Sequence, residues 1–198
     1  ILNDTTVMTE DASVKYFEST MKAAKQRAEL AYKAENEEWI KQNASKQDVK
    51  TTASGLQYKV LKEGNGIVAS KDDQVTVRYE GHTIDGKEFD SSYKRTPNTT
   101  TFRPDQVIKG WTEALCMMPE GSKWELYIPE NLGYGARKAG QIKPYSTLIF
   151  TVEVVKVEKK KEEAADKKAD AKGFLTNKKI SSTKSAKAVQ PKKKGSKK

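Results

Sequence analysis

The residues of this sequence that are best suited to form a functional site are aromatic and lie beside predicted turns. They are Tyr79, Phe89, Phe102, Trp111, Tyr134 and Phe150. Taken one at a time, each is more typical of a protein core than of a site. An aromatic surface binds apolar groups and excludes water, but it supplies no nucleophile. The sequence has no recognisable catalytic triad, carboxylate pair or phosphate-binding glycine loop.

Composition argues against metal and redox chemistry. Cys116 and His82 are the only cysteine and the only histidine of the chain. A Cys/His zinc cluster, a dithiol redox site and an internal disulfide therefore cannot form. We expect neither a metal ion nor a cofactor.

The excess of positive over negative charge lies entirely at the C-terminal end of the chain. The formal net charge is +10, yet residues 156–198 contain 16 Lys and five acidic residues, which leaves −1 for residues 1–155. Any affinity for polyanions or for an anionic membrane should therefore reside in this tail. A solvated tail that only aids solubility is the alternative.

A long helix is predicted at the N-terminal end. Residues 10–44 contain no Gly or Pro. Apolar or small residues recur there at steps of three and four, which is typical of a helix: Val14, Phe17, Met21, Ala24, Ala28 and Ala31. Half of these positions are Ala, so two interpretations stay open: the helix pairs with a second copy, or it packs on its own domain or acts as a spacer. Trp39 and Ile40 lie off this seam and are expected to dock on the following domain.

The chain is predicted to have three regions: a helical segment and linker at 1–52, a folded domain at 53–158, and a Lys-rich tail at 159–198. Within the domain, alternating residues predict strands at 56–61, 75–79, 123–128 and 147–157, a hairpin turn at Asp85-Gly86, and one short helix at 106–118. The fold class is therefore α+β, an antiparallel twisted sheet wrapped around one short helix. The tail has few large apolar residues and is predicted to be disordered.

The predicted domain contains five short motifs: VRYEG (77–81), GKEFDSS (86–92), VIKGW (107–111), LGYGA (132–136) and TLIFTVE (147–153). In this order and at nearly this spacing they resemble the motifs of the FKBP-type peptidyl-prolyl cis-trans isomerases. The long helix that leads into SGLQYKV (54–60) further resembles the macrophage infectivity potentiator branch of that family. Members of this branch are commonly dimeric folding helpers of the bacterial cell envelope.

The resemblance implies a pocket for the proline of a substrate. Trp111 would form its floor, the Ile108 N–H and the Tyr134 hydroxyl would bind the carbonyls beside the proline, and Asp90, steadied by Arg95, would face the rotating amide. The residues implied in catalysis are Tyr79, Phe89, Asp90, Ile108, Trp111, Tyr134 and Phe150. Those implied in substrate binding are Phe102, Val107 and Ile142.

Two departures from the family pattern limit what the resemblance implies. Segment 135–144 is one residue shorter than usual and has Lys143 where a proline is common, and segment 96–101 lacks an aromatic residue. Substrate preference therefore does not transfer.

Three functions are compatible with these features: a peptidyl-prolyl isomerase (EC 5.2.1.8) that assists folding, a weakly active binding or chaperone module of the same fold, and a polyanion-associated protein that acts through its tail. The intact pocket favours the isomerase. Its implied partners are proline-containing unfolded or partly folded polypeptides, the macrolide inhibitors of the family and a second copy of the chain. The expected location is the cell envelope, with the cytoplasm as the alternative.

Overall fold

The computed structural model of the protein describes residues 9–160. Within this range it contains two α-helices, α1 (Glu10–Asn43) and α2 (Lys109–Leu115). The seven strands are β1 (Lys50–Thr51), β2 (Gln57–Lys62), β3 (Gln74–Thr83), β4 (Glu88–Ser91), β5 (Thr100–Phe102), β6 (Lys123–Ile128) and β7 (Leu148–Glu158). The predicted disorder of the tail, and its predicted contacts with polyanions or anionic membranes, concern residues that lie almost entirely outside the described range.

The strands form one antiparallel sheet in the order β1-β2-β6-β7-β3-β4, and β5 pairs with β3. The longest pairing joins β3 to β7, from Gln74 opposite Glu158 to Thr83 opposite Leu148. Alternate residues of both strands are buried, as expected when one face of an antiparallel sheet covers a core. The predicted α+β fold class, with a long helix before the sheet, is confirmed.

Helix α2 packs against the buried face of this sheet. Its residues Trp111, Ala114 and Leu115 are at most 4% exposed and belong to the same hydrophobic core as the strands. A Cβ atom on Gly110 would lie 2.6 Å from Cγ2 of Ile128. The absence of a side chain at Gly110 therefore allows the helix to approach β6 closely.

The predicted bounds of this helix, 106–118, were too wide. A separate 3-10 turn covers Pro104–Gln106, and Ile108 has an extended backbone with ψ of 150° before α2 begins. At the other end, Met118 is buried in the core although the helix ends at Leu115. Apolar residues on either side of α2, such as Ile108 and Met118, pack on the core from non-helical backbone. They made the helical pattern in the sequence look longer than the helix.

Helix α1 has a docked end and an exposed end. Near its C-terminus, the Trp39 ring lies 5.9 Å from the Tyr127 ring, and the carbonyl of Ile40 accepts a hydrogen bond from Gln57 at 2.8 Å. Trp39 and Ile40 thus contact the domain as predicted. The six residues of the predicted seam, from Val14 to Ala31, are all exposed.

No helix within residues 9–160 has the length and apolar character needed to cross a membrane.

Asp73 anchors the end of β7 to the turn before β3. Its side chain is 5% exposed and accepts hydrogen bonds from the backbone N–H of Ser70 (2.6 Å), the backbone N–H of Lys160 (2.9 Å) and Nζ of Lys159 (2.9 Å). The bond from Ser70, followed by those from the two lysines, lowers the pKa of Asp73 from 3.8 to about 2. The folded structure therefore stabilises the charged form of the Asp73 carboxyl.

Asp73→Asn is expected to lower the free energy of unfolding at neutral pH by about 2 kcal/mol, because hydrogen bonds to charged groups contribute roughly 1.5 to 3 kcal/mol. The pKa of Asp73 is lower in the folded protein than in the unfolded chain. The carboxylate therefore stabilises the protein fully above pH 3.8, and this stabilisation is lost as the pH falls through about 2. Urea unfolding should show that the free energies of unfolding of wild type and Asp73→Asn converge as the pH falls from 3.8 to about 2.

Asp72→Asn is the matched control for this comparison. The Asp72 side chain is 61% exposed and lies 3.9 Å from its nearest cations, Arg103 and Lys160. Its replacement should change the free energy of unfolding by less than about 0.5 kcal/mol. A stability difference between wild type and Asp73→Asn that does not change with pH would contradict the role given to the Asp73 charge.

Candidate functional site

A cavity of about 640 Å³ opens between α2, the strands β3, β5 and β7, and the segment after β6. Trp111 lies at the centre of its aromatic lining. The ring centroid of Trp111 is 5.1 Å from that of Tyr79, 5.4 Å from Phe102 and 5.2 Å from Phe150, at interplanar angles of 81° to 88°. Such edge-to-face contacts stabilise one another and hold the rings in fixed orientations. This aromatic part of the cavity is therefore apolar and preformed, whereas much of the rest of the lining is polar.

The local sequence explains why these rings meet. Trp111 lies in the first turn of α2, where its backbone N–H donates to the carbonyl of Ile108 at 2.9 Å. Tyr79 and Phe150 occupy inward positions of β3 and β7, which alternate between buried and partly exposed residues. The strand period of two therefore directs both rings toward the helix.

A second, smaller hollow of about 350 Å³ adjoins the first. It is lined by Phe89 and Ile142, and it shares Asp90, Tyr134 and Phe150 with the main cavity. The structure thus brings all ten residues implied by the resemblance to these two hollows. Those in the main cavity are Tyr79, Asp90, Phe102, Val107, Ile108, Trp111, Tyr134 and Phe150.

Gly81 allows two of these rings to meet over strand β3. In the sheet it lies opposite Phe150 on β7 and opposite Asp90 on β4. A Cβ atom at this position would lie 2.6 Å from Cε1 of Phe150 and 2.8 Å from Cε2 of Phe89. Without it, the rings of Phe89 and Phe150 pack edge to face with centroids 5.4 Å apart. The absence of a side chain at Gly81 therefore leaves room for both rings in the pocket wall.

One charged group of the cavity wall, Asp90, is held by two partners. The Tyr79 hydroxyl donates to Oδ2 of Asp90 at 2.6 Å, and the Arg95 guanidinium forms an ion pair with Oδ1. Burial raises the pKa of Asp90, but the hydrogen bonds from Tyr79 and Arg95 and the charge of Arg95 outweigh burial and lower it below its usual value. Burial, together with the bond to Asp90, raises the pKa of Tyr79. The carboxylate therefore stays charged and the phenol stays protonated at neutral pH.

Several other residues line the cavity and were not predicted: Gln106, Lys109, Glu130, Asn131, Gly133, Gly135 and Arg137. The two glycines flank Tyr134 within the LGYGA motif, which was a usable signal for them. Lys109 likewise lies within the VIKGW motif, whereas the other polar residues carry no such signal, because their types are those of ordinary surface positions. The segment after β6 places Glu130, Asn131 and Arg137 at the cavity, and the residues before and at the start of α2 place Gln106 and Lys109 there.

Two family models match the chain. The model described as FKBP-type peptidyl-prolyl cis-trans isomerase matches residues 66–155, which include every motif residue of the cavity. The model described as the domain amino terminal to FKBP-type peptidyl-prolyl isomerase matches residues 1–60, which include α1.

Individual relatives agree with these models. The probable FKBP-type peptidyl-prolyl cis-trans isomerase FkpA of Neisseria meningitidis serogroup B is 51% identical over 128 residues, which are 64% of this chain and 47% of the relative. Outer membrane protein MIP of Legionella longbeachae is 45% identical over 128 residues, or 64% and 54% of the two chains. The chain thus spans about half the length of these curated relatives.

A solved structure has the same fold. The crystal structure of FkpA from Escherichia coli superposes with a TM-score of 0.66 at 37% sequence identity, covering 76% of this chain and 74% of that one. The family models, the relatives and the fold all agree with the order of the five sequence motifs. This chain therefore belongs to the family of FKBP-type peptidyl-prolyl cis-trans isomerases, and its relatives include the macrophage infectivity potentiator branch.

Proposed function

We propose that the protein is a peptidyl-prolyl cis-trans isomerase that acts on proline-containing segments of unfolded or partly folded polypeptides. The observation that carries this proposal is the cavity, in which the rings of Tyr79, Phe102, Trp111 and Phe150 form an apolar surface beside the ion-paired Asp90. The matching family model and the relatives named for this activity support it.

The proposed mechanism requires no covalent intermediate. Rotation about a peptide bond has a barrier of about 18 to 20 kcal/mol because amide resonance is lost in the twisted state. The planar amide is more dipolar than the twisted one. An apolar cavity that removes water therefore disfavours the planar ground state relative to the twisted state, and packing against the proline ring holds the twist.

Polar groups at the cavity are suited to hold the peptide on both sides of the proline. The N–H of Ile108, next to the start of α2, donates to no backbone carbonyl within residues 9–160, which leaves it available to a substrate carbonyl. The Tyr134 hydroxyl would bind a second carbonyl. Asp90 would face the rotating amide from the position that Tyr79 and Arg95 hold.

The test is catalysis of cis-trans exchange in a short Leu-Pro or Phe-Pro peptide by the full chain. Uncatalysed exchange takes about 10 to 100 s at 25 °C, so acceleration is easily measured. A macrolide inhibitor of the family should abolish it by filling the cavity. If the folded protein is no faster than buffer, the protein is instead a binding or chaperone module with the same fold.

The exposed end of α1 supports a proposal about assembly. Phe17 is 65% exposed, Met21 55% and Val14 51%, and all three lie on the predicted seam. Tyr16 and Leu30 add further exposed apolar surface to the same helix. Pairing with a second copy of the chain would remove this surface from water. We therefore propose that the protein is a homodimer joined through α1.

Replacing both Phe17 and Met21 by glutamate is expected to convert the dimer to a monomer, because charged groups in the seam would have to be desolvated. Activity on a short peptide should not change, whereas activity on an unfolded protein should fall, since two linked pockets raise the effective concentration. Light scattering and both activity assays measure these effects. Glu18→Gln with Lys22→Gln, two exposed changes on the same helix, is the control and should remain dimeric. A wild-type chain that is monomeric at high concentration would rule out the proposal.

We also infer that the protein works in the cell envelope. The relative from Legionella longbeachae is named an outer membrane protein, and it matches this chain over 128 residues. Fractionation of the source cells with an antibody against the folded domain tests the location. Recovery in the cytoplasmic fraction alone would refute it.

A further inference from the structure

The wall of the cavity opposite α2 is formed by segment 130–147, which joins β6 to β7. Tyr134 and Arg137 of this segment line the main cavity, and Ile142 lines the second hollow. Regular structure in it is limited to a 3-10 turn at Glu130–Leu132 and an isolated bridge between Ala139 and Ile142. The segment is held by its own hydrogen bonds, by burial of Leu132 and Ile142 in the core, and by contacts from helix α1.

Asn36 of α1 holds one end of this segment. It is 2% exposed, and its Oδ1 accepts a hydrogen bond from the backbone N–H of Thr147 at 2.7 Å. Its Nδ2 donates to the carbonyl of Tyr32 at 2.8 Å, which fixes the orientation of the amide. A buried amide is costly unless its hydrogen bonds are made, so this pairing fixes the distance between the helix and Thr147.

Two neighbouring residues of α1 contact both ends of the segment. Nζ of Lys33 lies 3.7 Å from Oε1 of Glu130 and 5.1 Å from the centre of the Tyr145 ring. The Tyr32 hydroxyl is within hydrogen-bond distance, 3.0 Å, of Oγ of Ser146. One turn of α1 therefore contacts the segment both at its beginning and at its end.

Inside the segment, hydrogen bonds connect these two ends to the residue after Tyr134. The N–H of Gly135 donates to the carbonyl of Glu130 at 2.9 Å, and the N–H of Tyr145 donates to the carbonyl of Gly135 at 2.8 Å. Gly135 has a φ of +59°, a conformation that glycine adopts at little cost. The two residues that Lys33 contacts are thus bonded to the neighbour of Tyr134.

We propose that Asn36, together with Tyr32 and Lys33, is a positioning residue for the proline pocket. By holding both ends of segment 130–147, these residues of α1 set the Tyr134 hydroxyl at its working distance from the floor formed by Trp111. Binding groups that are misplaced by about 1 Å can cost a large factor in rate. The catalytic part of this proposal rests on the proposed isomerase function.

The full chain carrying Asn36→Ala is compared with the full chain carrying Asn43→Ala. Asn43 is 1% exposed on the same helix, and its Nδ2 donates to Gln57 on β2 at 2.9 Å, away from the segment. Both variants should lose similar amounts of stability. At a temperature where both are fully folded, Asn36→Ala should lower kcat/KM on a Leu-Pro peptide about fivefold to tenfold, whereas Asn43→Ala should match wild type. Equal activity losses in the two variants would overturn the proposal.

Amide hydrogen exchange gives a second result that does not depend on activity. The N–H groups of Gly135 and Tyr145 should exchange faster in Asn36→Ala and at the wild-type rate in Asn43→Ala. If wild type proves inactive but this pattern is found, the isomerase assignment fails while the positioning role stands. Unchanged exchange at Gly135 in Asn36→Ala would refute the positioning role whatever the activity.

Lys33→Met provides a test if Asn36→Ala does not fold. The Lys33 side chain is 34% exposed, so the fold should tolerate its replacement. We expect about a twofold to threefold loss in kcat/KM and faster exchange at Gly135. Lys41→Met, an exposed change near the end of the same helix, should alter neither. Identical results for the two lysine variants would count against the proposal.

Discussion

Phe89→Ala is expected to lower kcat/KM for a Leu-Pro peptide about 30-fold, which corresponds to about 2 kcal/mol of transition-state stabilisation. The Phe89 ring packs edge to face on Phe150 at 5.4 Å and lines the hollow beside the main cavity. Its removal would admit water to the amide, and water stabilises the dipolar planar state over the twisted one. The ring is only partly buried, so the loss in free energy of unfolding should be about 2 kcal/mol, below the 3 to 5 kcal/mol typical of a fully buried phenylalanine.

Coupled measurements of peptide exchange and urea unfolding separate these two effects. Tyr93→Ala is the matched control, because Tyr93 is an aromatic residue close in sequence that is 44% exposed and lines neither hollow. It should keep wild-type activity. A folded Phe89→Ala protein with more than half of the wild-type kcat/KM would show that this ring is not part of the pocket wall.

Gly81→Ala is expected to reduce both activity and stability, although it adds a single methyl group. The added carbon would lie less than 3 Å from the rings of Phe89 and Phe150, so these rings or the strand must shift. Overpacking of this kind costs about 1 to 3 kcal/mol. Because both rings line the hollows, a shift of either ring would distort the pocket wall, and we expect kcat/KM to fall about tenfold.

A double variant distinguishes crowding from other causes. In the Gly81→Ala background, Phe89→Leu removes ring atoms that the new methyl group would contact. It should recover part of the lost free energy of unfolding without restoring the peptide exchange rate, because the aromatic wall is still missing. Wild-type activity in Gly81→Ala alone would mean that the pocket accommodates the methyl group.

The sequence predicted those elements whose residue pattern is long enough to have a period. Strand β6 was predicted at 123–128 and is found at Lys123–Ile128, and α1 was predicted to end one residue beyond Asn43. Strands β1 and β5 have two and three residues, which is too short for alternation to be recognised. Their existence depends on pairing with β2 and β3 and not on local preference.

For the site, the sequence predicted the residues that lie within motifs but not their supports. The ten residues implied by the resemblance all line the two hollows: eight lie within the motifs, and Phe102 and Ile142 lie between them. The role of Asn36 could not be predicted, since its partner Thr147 lies 111 residues away and a helical asparagine is ordinarily a surface residue. Lys109 and Arg137 lie at the cavity because of the backbone path around them. Such long-range relations are visible only in the folded chain.

The aromatic lining of the cavity has a consequence for inhibitor resistance. Tyr79 and Trp111 are 4% exposed and Phe150 is 5% exposed, so each ring faces the cavity and also completes the hydrophobic core. A mutation that weakens an inhibitor by shrinking one of these rings would remove about 3 to 5 kcal/mol of folding stability, a large part of what a domain of this size has. If an inhibitor binds this cavity as proposed, escape mutations that keep the fold are expected at lining residues that are less buried, such as Val107 and Arg137. An inhibitor whose affinity comes from contacts with the buried rings would be least affected by such mutations.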